Sequence, residues 1–179
     1  MSHLFTLPFR SPFVNMFMDE EDFLLMIERD LRTQLAGKLE LVGSGYDEVL
    51  QINYPIYALN GLLLKMNHYP DYAFAREKWY ERLQRINWYN LVFMMYTDSR
   101  EILARFDALP LAKKICFVPF ESDLPAAYCF EPEKIKRDCS AWEAANIIAG
   151  GHVALYDLWD MLLYGKKTEL GIVANNCAE

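Results

Sequence analysis

The run Leu91-Val-Phe-Met-Met-Tyr-Thr97 is apolar on both of the faces that alternate along an extended chain, and a strand of that kind needs cover on both sides. No other segment constrains the fold as much. Directly after it, Asp98-Ser-Arg-Glu101 has the spacing of a capping box, with Asp98 as N-cap of a helix through Phe106. Lys114 to Phe120 then returns to strand character. Strand, helix and strand in that order predict a βαβ unit with parallel strands and a right-handed crossover. This puts Thr97, Asp98 and Ser99 at the carboxyl end of a central strand, where α/β folds bind ligands. The fold class is therefore α/β: a mixed, partly parallel sheet with flanking helices.

Upstream, Asp19 stands as N-cap with Glu20, Glu21 and Asp22 in the first turn, where the helix dipole favours negative charge. The helix it starts is predicted to run to Ala36, with Phe23, Ile27, Leu31 and Leu35 on one face and Gly37 as its stop. Leu39 to Val42 and Val49 to Asn53 read as short strands around a turn, Gly43-Ser-Gly-Tyr-Asp47. Gly43-x-Gly45 is no dinucleotide fingerprint, because Glu48 replaces the third glycine and no helix opens there. Leu62 to His68 is another apolar strand.

Pro70 stops that strand and Asp71 caps a helix predicted to run to about Ile86, with Tyr72, Ala75, Trp79, Leu83 and Ile86 on its core face. Arg76, Lys78, Arg82 and Arg85 occupy the other side with Glu77 and Glu81 among them. Three cations from Lys78 onward are close enough to receive a carboxylate or a phosphate. Beyond Pro119, Ala126 to Phe130 is a short strand and Ser140-x-x-Glu143 a second capping box. A last helix covers about His152 to Tyr164. The whole chain, 1–179, reads as a single α/β domain with 121–179 as a smaller carboxyl-terminal subdomain.

The 179 residues, 53% of them hydrophobic, supply an ample core for one such domain. A formal charge of −7 lacks the basic field that sequence-independent nucleic-acid binding requires, so no nucleic acid is expected as a partner. Cys116, Cys129, Cys139 and Cys177 have no Cys-x-x-Cys spacing, and His3, His68 and His152 are scattered, so no metal site and no cofactor is legible. No secretory start and no apolar run of membrane-spanning length occurs, so a cytoplasmic location with reduced cysteines is expected.

At its strand end beside Tyr69, His68 is the candidate catalytic residue: a neutral imidazole there would accept a proton from a substrate hydroxyl near neutral pH. Against this stands a plain half-buried histidine. Arg82 and Arg85 offer bidentate forks for a phosphate or a carboxylate, although Glu81 is placed four residues before Arg85 for a surface pair. Asn87 and Asn90 flank Trp88 at the helix exit, where amides cap turns and also suit carbohydrate recognition. Ser11, Tyr69, Lys78 and Asp98 complete the candidate substrate-binding set. Ser11 lies in no nucleophile elbow, and Pro12 forces extended geometry on it. Neither Glu121-x-Asp123 nor Asp157-x-x-Asp160 matches the Asp-x-Asp that holds a metal against a sugar-nucleotide diphosphate.

From about Leu7 to Tyr128 the chain resembles the family catalogued as domain of unknown function 1919, labelled exopolysaccharide biosynthesis protein. The residues that carry the resemblance are Ser11-Pro12-Phe13, Tyr54-Pro55, His68-Tyr69 and Lys78-Trp79-x-x-Arg82-x-x-Arg85-Ile86-Asn87-x-x-Asn90-Leu91. Phe106-Asp107-x-Leu109-Pro110 and the Lys114 strand continue it, and Tyr156-Asp157 to Leu163 is similar to the closing helix. Relatives begin with a strand ending in an Asn-Cys-Gly-like turn. This chain starts almost beyond that point, and Gly171 to Cys177 resembles the same element in another position. The resemblance implies two small α/β subdomains and a role in exopolysaccharide or capsule biosynthesis. Its expected form is a glycosyl- or acyltransferase acting on a nucleotide-linked or phosphorylated sugar, alongside other polysaccharide-synthesis enzymes. The alternative is a non-catalytic saccharide-binding or assembly subunit.

Overall fold

The computed structural model describes residues 11–48 and 50–129. The second capping box, the helix at 152–164 and the segment 171–177 lie outside them. The chain divides into two compact units, Met1–Asn90 and Leu91–Glu179. The architecture is mixed α/β, with an antiparallel sheet in the first unit and a parallel sheet in the second, each flanked by helices. No helix among the described residues is long and apolar enough to cross a membrane.

In the first unit, the single amino-terminal helix expected from the apolar stripe is two helices, α1 (Glu20–Glu28) and α2 (Leu31–Leu35). The break falls at Asp30, which adopts φ 69°, a region that Asp tolerates better than most residues. Its carboxylate accepts from Thr33 N at 3.2 Å and Thr33 Oγ1 at 2.6 Å, so a local cap outcompetes the continuing helix. The Thr33 hydroxyl bond, followed by its backbone bond, holds the Asp30 carboxyl below its ordinary value. Asp19 is the N-cap of α1 by position only. Its carboxylate reaches Lys65 instead, at 2.9 Å.

The strands are β1 (Leu39–Asp47), β2 (Ile52–Leu59) and β3 (Leu62–Lys65), in that spatial order and antiparallel throughout. The glycine-bearing segment read as a turn is therefore strand, and the turn lies after Asp47, whose carboxylate accepts from Leu50 N at 2.9 Å. Two features carry β1 through its glycines. The register shifts by a bulge between Leu41 and Gly43, and Gly45 lies under the ring of its cross-strand partner Tyr54. A Cβ on Gly45 would come within 2.3 Å of that ring. Asn60 and Gly61, at φ 52° and 85°, close the β2–β3 hairpin. That is the Asn-Gly turn whose twist matches the flanking strands.

Helix α3 (Tyr72–Leu83) packs on β2. Asp71 caps it as expected, accepting from Phe74 N at 2.6 Å, and two single turns carry the chain on to Ile86. Of the expected core stripe, Ala75 and Trp79 are buried, Leu83 and Ile86 pack half-buried, and Tyr72 is exposed. Trp79, 1% exposed, sits in one cluster with Met26, Tyr57, Leu59 and Leu64. The ring of Phe13 meets it edge-on, 5.8 Å between centroids at 85°.

In the second unit, β4 (Phe93–Tyr96), β5 (Lys114–Val118) and β6 (Ala127–Cys129) form a parallel sheet in that order, with α4 (Arg100–Ala108) between β4 and β5 in the chain. The predicted strand–helix–strand unit is present. Among the described residues, however, β5 is the central strand and β4 an edge, and Met94 on one face is exposed while Met95 and Thr97 on the other are buried. The cap of α4 is Ser99 rather than Asp98: Ser99 Oγ accepts from Ile102 N at 3.3 Å, and Thr97 Oγ1 accepts from Ser99 N at 3.0 Å. Lys114 closes the other end by donating to the carbonyls of Asp107 and Leu109, and Asp107 Oδ1 accepts from Ala126 N at 2.7 Å.

Trp79→Ala is expected to cost about 3–5 kcal/mol as a large-to-small change in a closed core, measured by urea unfolding followed by circular dichroism. Lys114→Met leaves two carbonyls of the α4 terminus without their charged donor. It is expected to cost about 1–3 kcal/mol in the same assay.

Candidate functional site

Burial of Trp79 fixes how α3 is turned, and that presents residues 74, 78, 81, 82 and 85 along one flank. Glu81 is the hub. Lys78 Nζ meets its carboxylate at 2.6 Å and Arg85 Nη2 meets the other oxygen. The Lys78 hydrogen bond is the largest cause holding the Glu81 carboxyl below its ordinary value, with the Arg85 charge assisting. Arg82 lies 5.8 Å from the centroid of the Tyr69 ring, Tyr69 meets Phe74 edge-on at 6.0 Å, and Lys78 Nζ lies 5.3 Å from the Phe74 centroid. Three cations and one carboxylate thus share a face with two aromatic rings, leaving a formal excess of two positive charges.

The candidate residues divide by what the fold asks of each. Arg82 Nη1 donates to the carbonyl of Val14 at 2.6 Å, tying the Ser11–Val14 segment to α3. Tyr69 is buried beneath that contact. Asn87 Oδ1 accepts from Tyr89 N at 3.2 Å, and the backbone N–H of Asn90 donates to the Asn87 carbonyl at 3.1 Å, so the Asn87 side chain and the Asn90 backbone shape the helix exit. Ser11 Oγ accepts from Phe13 N at 3.2 Å in a local turn. His68 is exposed and adjoins the patch through Tyr69. Lys78 and Arg85 lie at its surface, and their partner Glu81 is itself part-exposed. Asp98 belongs to the second unit, exposed after β4. Arg100 beside it stacks 4.2 Å from the Phe120 centroid and donates to the Glu121 carbonyl at 3.3 Å.

Phe74 and the Val14 carbonyl complete the patch without having been singled out in the sequence. Phe74 is four residues before Lys78, the spacing at which an aromatic ring and a cation meet on a helix, so its part was legible. The Val14 contact spans 68 residues, and no local pattern announces it. No group of three or more His, Cys, Asp or Glu side chains among the described residues is placed to hold a metal ion.

Comparison with known proteins places the chain in context. The family model described as "Domain of unknown function (DUF1919)" matches residues 1–164. A Haemophilus influenzae protein described as uncharacterized is 32% identical over 114 residues, 62% of this chain and 52% of the relative. The chain spans about half the length of that curated relative.

Because Arg82 bridges two segments, Arg82→Ala is expected to lower stability by about 1.5–3 kcal/mol, well above the cost of an exposed charge deletion. Arg85→Ala, measured beside it in urea, is expected to stay within about 0.5 kcal/mol of the parent.

Proposed function

This chain belongs to the DUF1919 family, and we propose that it serves cell-surface polysaccharide biosynthesis in the cytoplasm by recognising a phosphorylated or nucleotide-linked sugar on the α3 flank. The observation that carries this reading is the pairing of Lys78 and Arg85 on the single carboxylate of Glu81, beside Phe74 and Tyr69. Two cations to one anion give this flank a net positive formal charge that suits a phosphate, and their shared carboxylate orders them, so little side-chain entropy is lost on binding. An exposed ring next to them suits the apolar face of a sugar. Glycosyl- or acyltransfer at this site would use His68 as the base that takes a proton from the acceptor hydroxyl.

A second reading, saccharide binding without catalysis, is favoured by a specific observation. Arg82 and Asn87, which a transferase would aim at donor and acceptor, spend hydrogen-bonding groups on Val14 and Tyr89. Turnover of a sugar nucleotide separates the two readings.

Calorimetric titration tests the recognition itself. Glucose 1-phosphate and uridine diphosphate glucose should bind and glucose should not. Lys78→Ala and Arg85→Ala should each weaken binding about tenfold and flatten its salt dependence. Glu81→Gln should tighten it, because the competing carboxylate is gone. The Glu81 carboxyl titrates below its ordinary value, so its ion pairs are fully formed at neutral pH and are lost as pH falls through that lowered value. Anion affinity should therefore rise only at acid pH. Unchanged affinity in all three variants would remove the flank as the binding site.

A further inference from the structure

Among the described residues, the antiparallel sheet of the first unit is closed at one edge and open at the other. On the β3 side, Phe17 and Lys65 exchange two backbone hydrogen bonds of 2.8 Å, and the Asp22 carboxylate accepts from Leu63 N at 2.8 Å. On the β1 side, no strand among the described residues pairs with the nine residues Leu39–Asp47. Leu41, Val42 and Tyr46 are 52%, 55% and 56% exposed there. A long edge with large apolar side chains is a template for another strand.

The backbone says which groups this edge offers. Pro55 has no N–H and gives its carbonyl to Met66 N on the β3 side, so its partner Ser44 turns both polar groups outward. Leu39, opposite Leu59, likewise sends its N–H away from the sheet, to the Tyr80 hydroxyl at 3.2 Å. The two-residue period, reset by the bulge between Leu41 and Gly43, makes Leu41 and Tyr46 outward-facing as well. The outward residues are thus 39, 41, 44 and 46, spaced symmetrically about the bulge.

We propose that the occupant of this edge is a second copy of the chain, its β1 paired antiparallel about a two-fold axis between Val42 and Gly43. In that register Leu41 exchanges both backbone bonds with Ser44 of the other copy, twice about the axis, and Leu39, whose N–H stays on the Tyr80 hydroxyl, stands opposite Tyr46. Lys38 stands opposite Asp47 at both ends, an attractive pair made twice. Competing registers fail on the same terms. A slip of one residue sets Glu40 opposite Tyr46, on opposite sheet faces. A slip that sets Leu41 opposite Tyr46 also sets Glu40 opposite Asp47, like charge on like charge. The isologous match comes from the bulge and the charges together, and it doubles the three-stranded sheet into a continuous one.

Light scattering on the full chain after size exclusion should give a dimer at ~100 μM. Lys38→Glu replaces two attractions with two repulsions and should raise the dissociation constant about tenfold. Adding Asp47→Asn, which keeps an acceptor for Leu50 N, should recover most of that loss. Ser44→Pro removes an outward N–H at the centre of the pairing and should abolish the dimer with native circular dichroism, since an edge strand tolerates proline. A monomer at that concentration, a dimer indifferent to Lys38→Glu, or a folded Ser44→Pro dimer would each overturn the proposal.

Discussion

Burial of Trp79 is the constraint on which the first unit depends. The indole is enclosed by β2, β3 and α1 side chains and capped by the edge of Phe13, which itself meets Phe23 edge-on at 5.9 Å. A side chain of that size admits one rotation of α3 against the sheet. Once it is set, the flank that carries Lys78, Arg82 and Arg85 lies about a quarter turn away from the core face. The same contact recruits the Ser11–Val14 segment, since Phe13 packs on the indole while the Val14 carbonyl accepts from Arg82. Core packing and surface charge are therefore consequences of one residue.

Local chemistry was legible where one short pattern decided the outcome. Asp71 capping α3, the parallel pairing of β4 with β5 and the burial of Trp79 follow directly from spacing. The readings that differed did so where two local rules competed. Residues 19–36 carry a continuous apolar stripe, but Asp30 with Thr33 three residues on forms a cap that interrupts it. Gly43 to Asp47 has turn composition, yet the Tyr54 ring covers Gly45, one turn follows Asp47 and another is made by Asn60-Gly61. Asp98 and Ser99 are both good caps, and Thr97 settles between them by accepting from Ser99 N. In the candidate site, the cation spacing on α3 could be read from the sequence, whereas the carbonyl held by Arg82 could not.

The two edges of the first sheet show how the same backbone requirement is met by different means. Leu63 N would be an exposed donor on β3, and a carboxylate from α1 satisfies it, which also explains why Asp22 is acidic beyond any service to the helix dipole. Asp19 is likewise diverted from capping to hold Lys65, and the acidic first turn of α1 acts as a clamp along β3. Among the described residues, β1 has no such clamp beyond the Tyr80 hydroxyl at its first residue.

Subtracting the work of the fold from the residues that carry the family resemblance sharpens what remains. Trp79 is core, Asn87 holds the Tyr89 N–H just past the exit of α3, and Arg82 fastens the amino-terminal segment. Asp107 positions the start of β6, and Lys114 closes α4. Each of these would be needed by any chain with this fold, whatever its chemistry. Lys78 and Arg85 are different: surface ion pairs of this kind contribute little to stability, and both converge on one carboxylate that a simple salt bridge would share with a single cation. His68 is exposed just before the amino-terminal end of α3 and supports no described contact in the core. A pattern whose structural members are accounted for, and whose remainder is two cations and an imidazole, concentrates the functional argument on the residues the fold needs least.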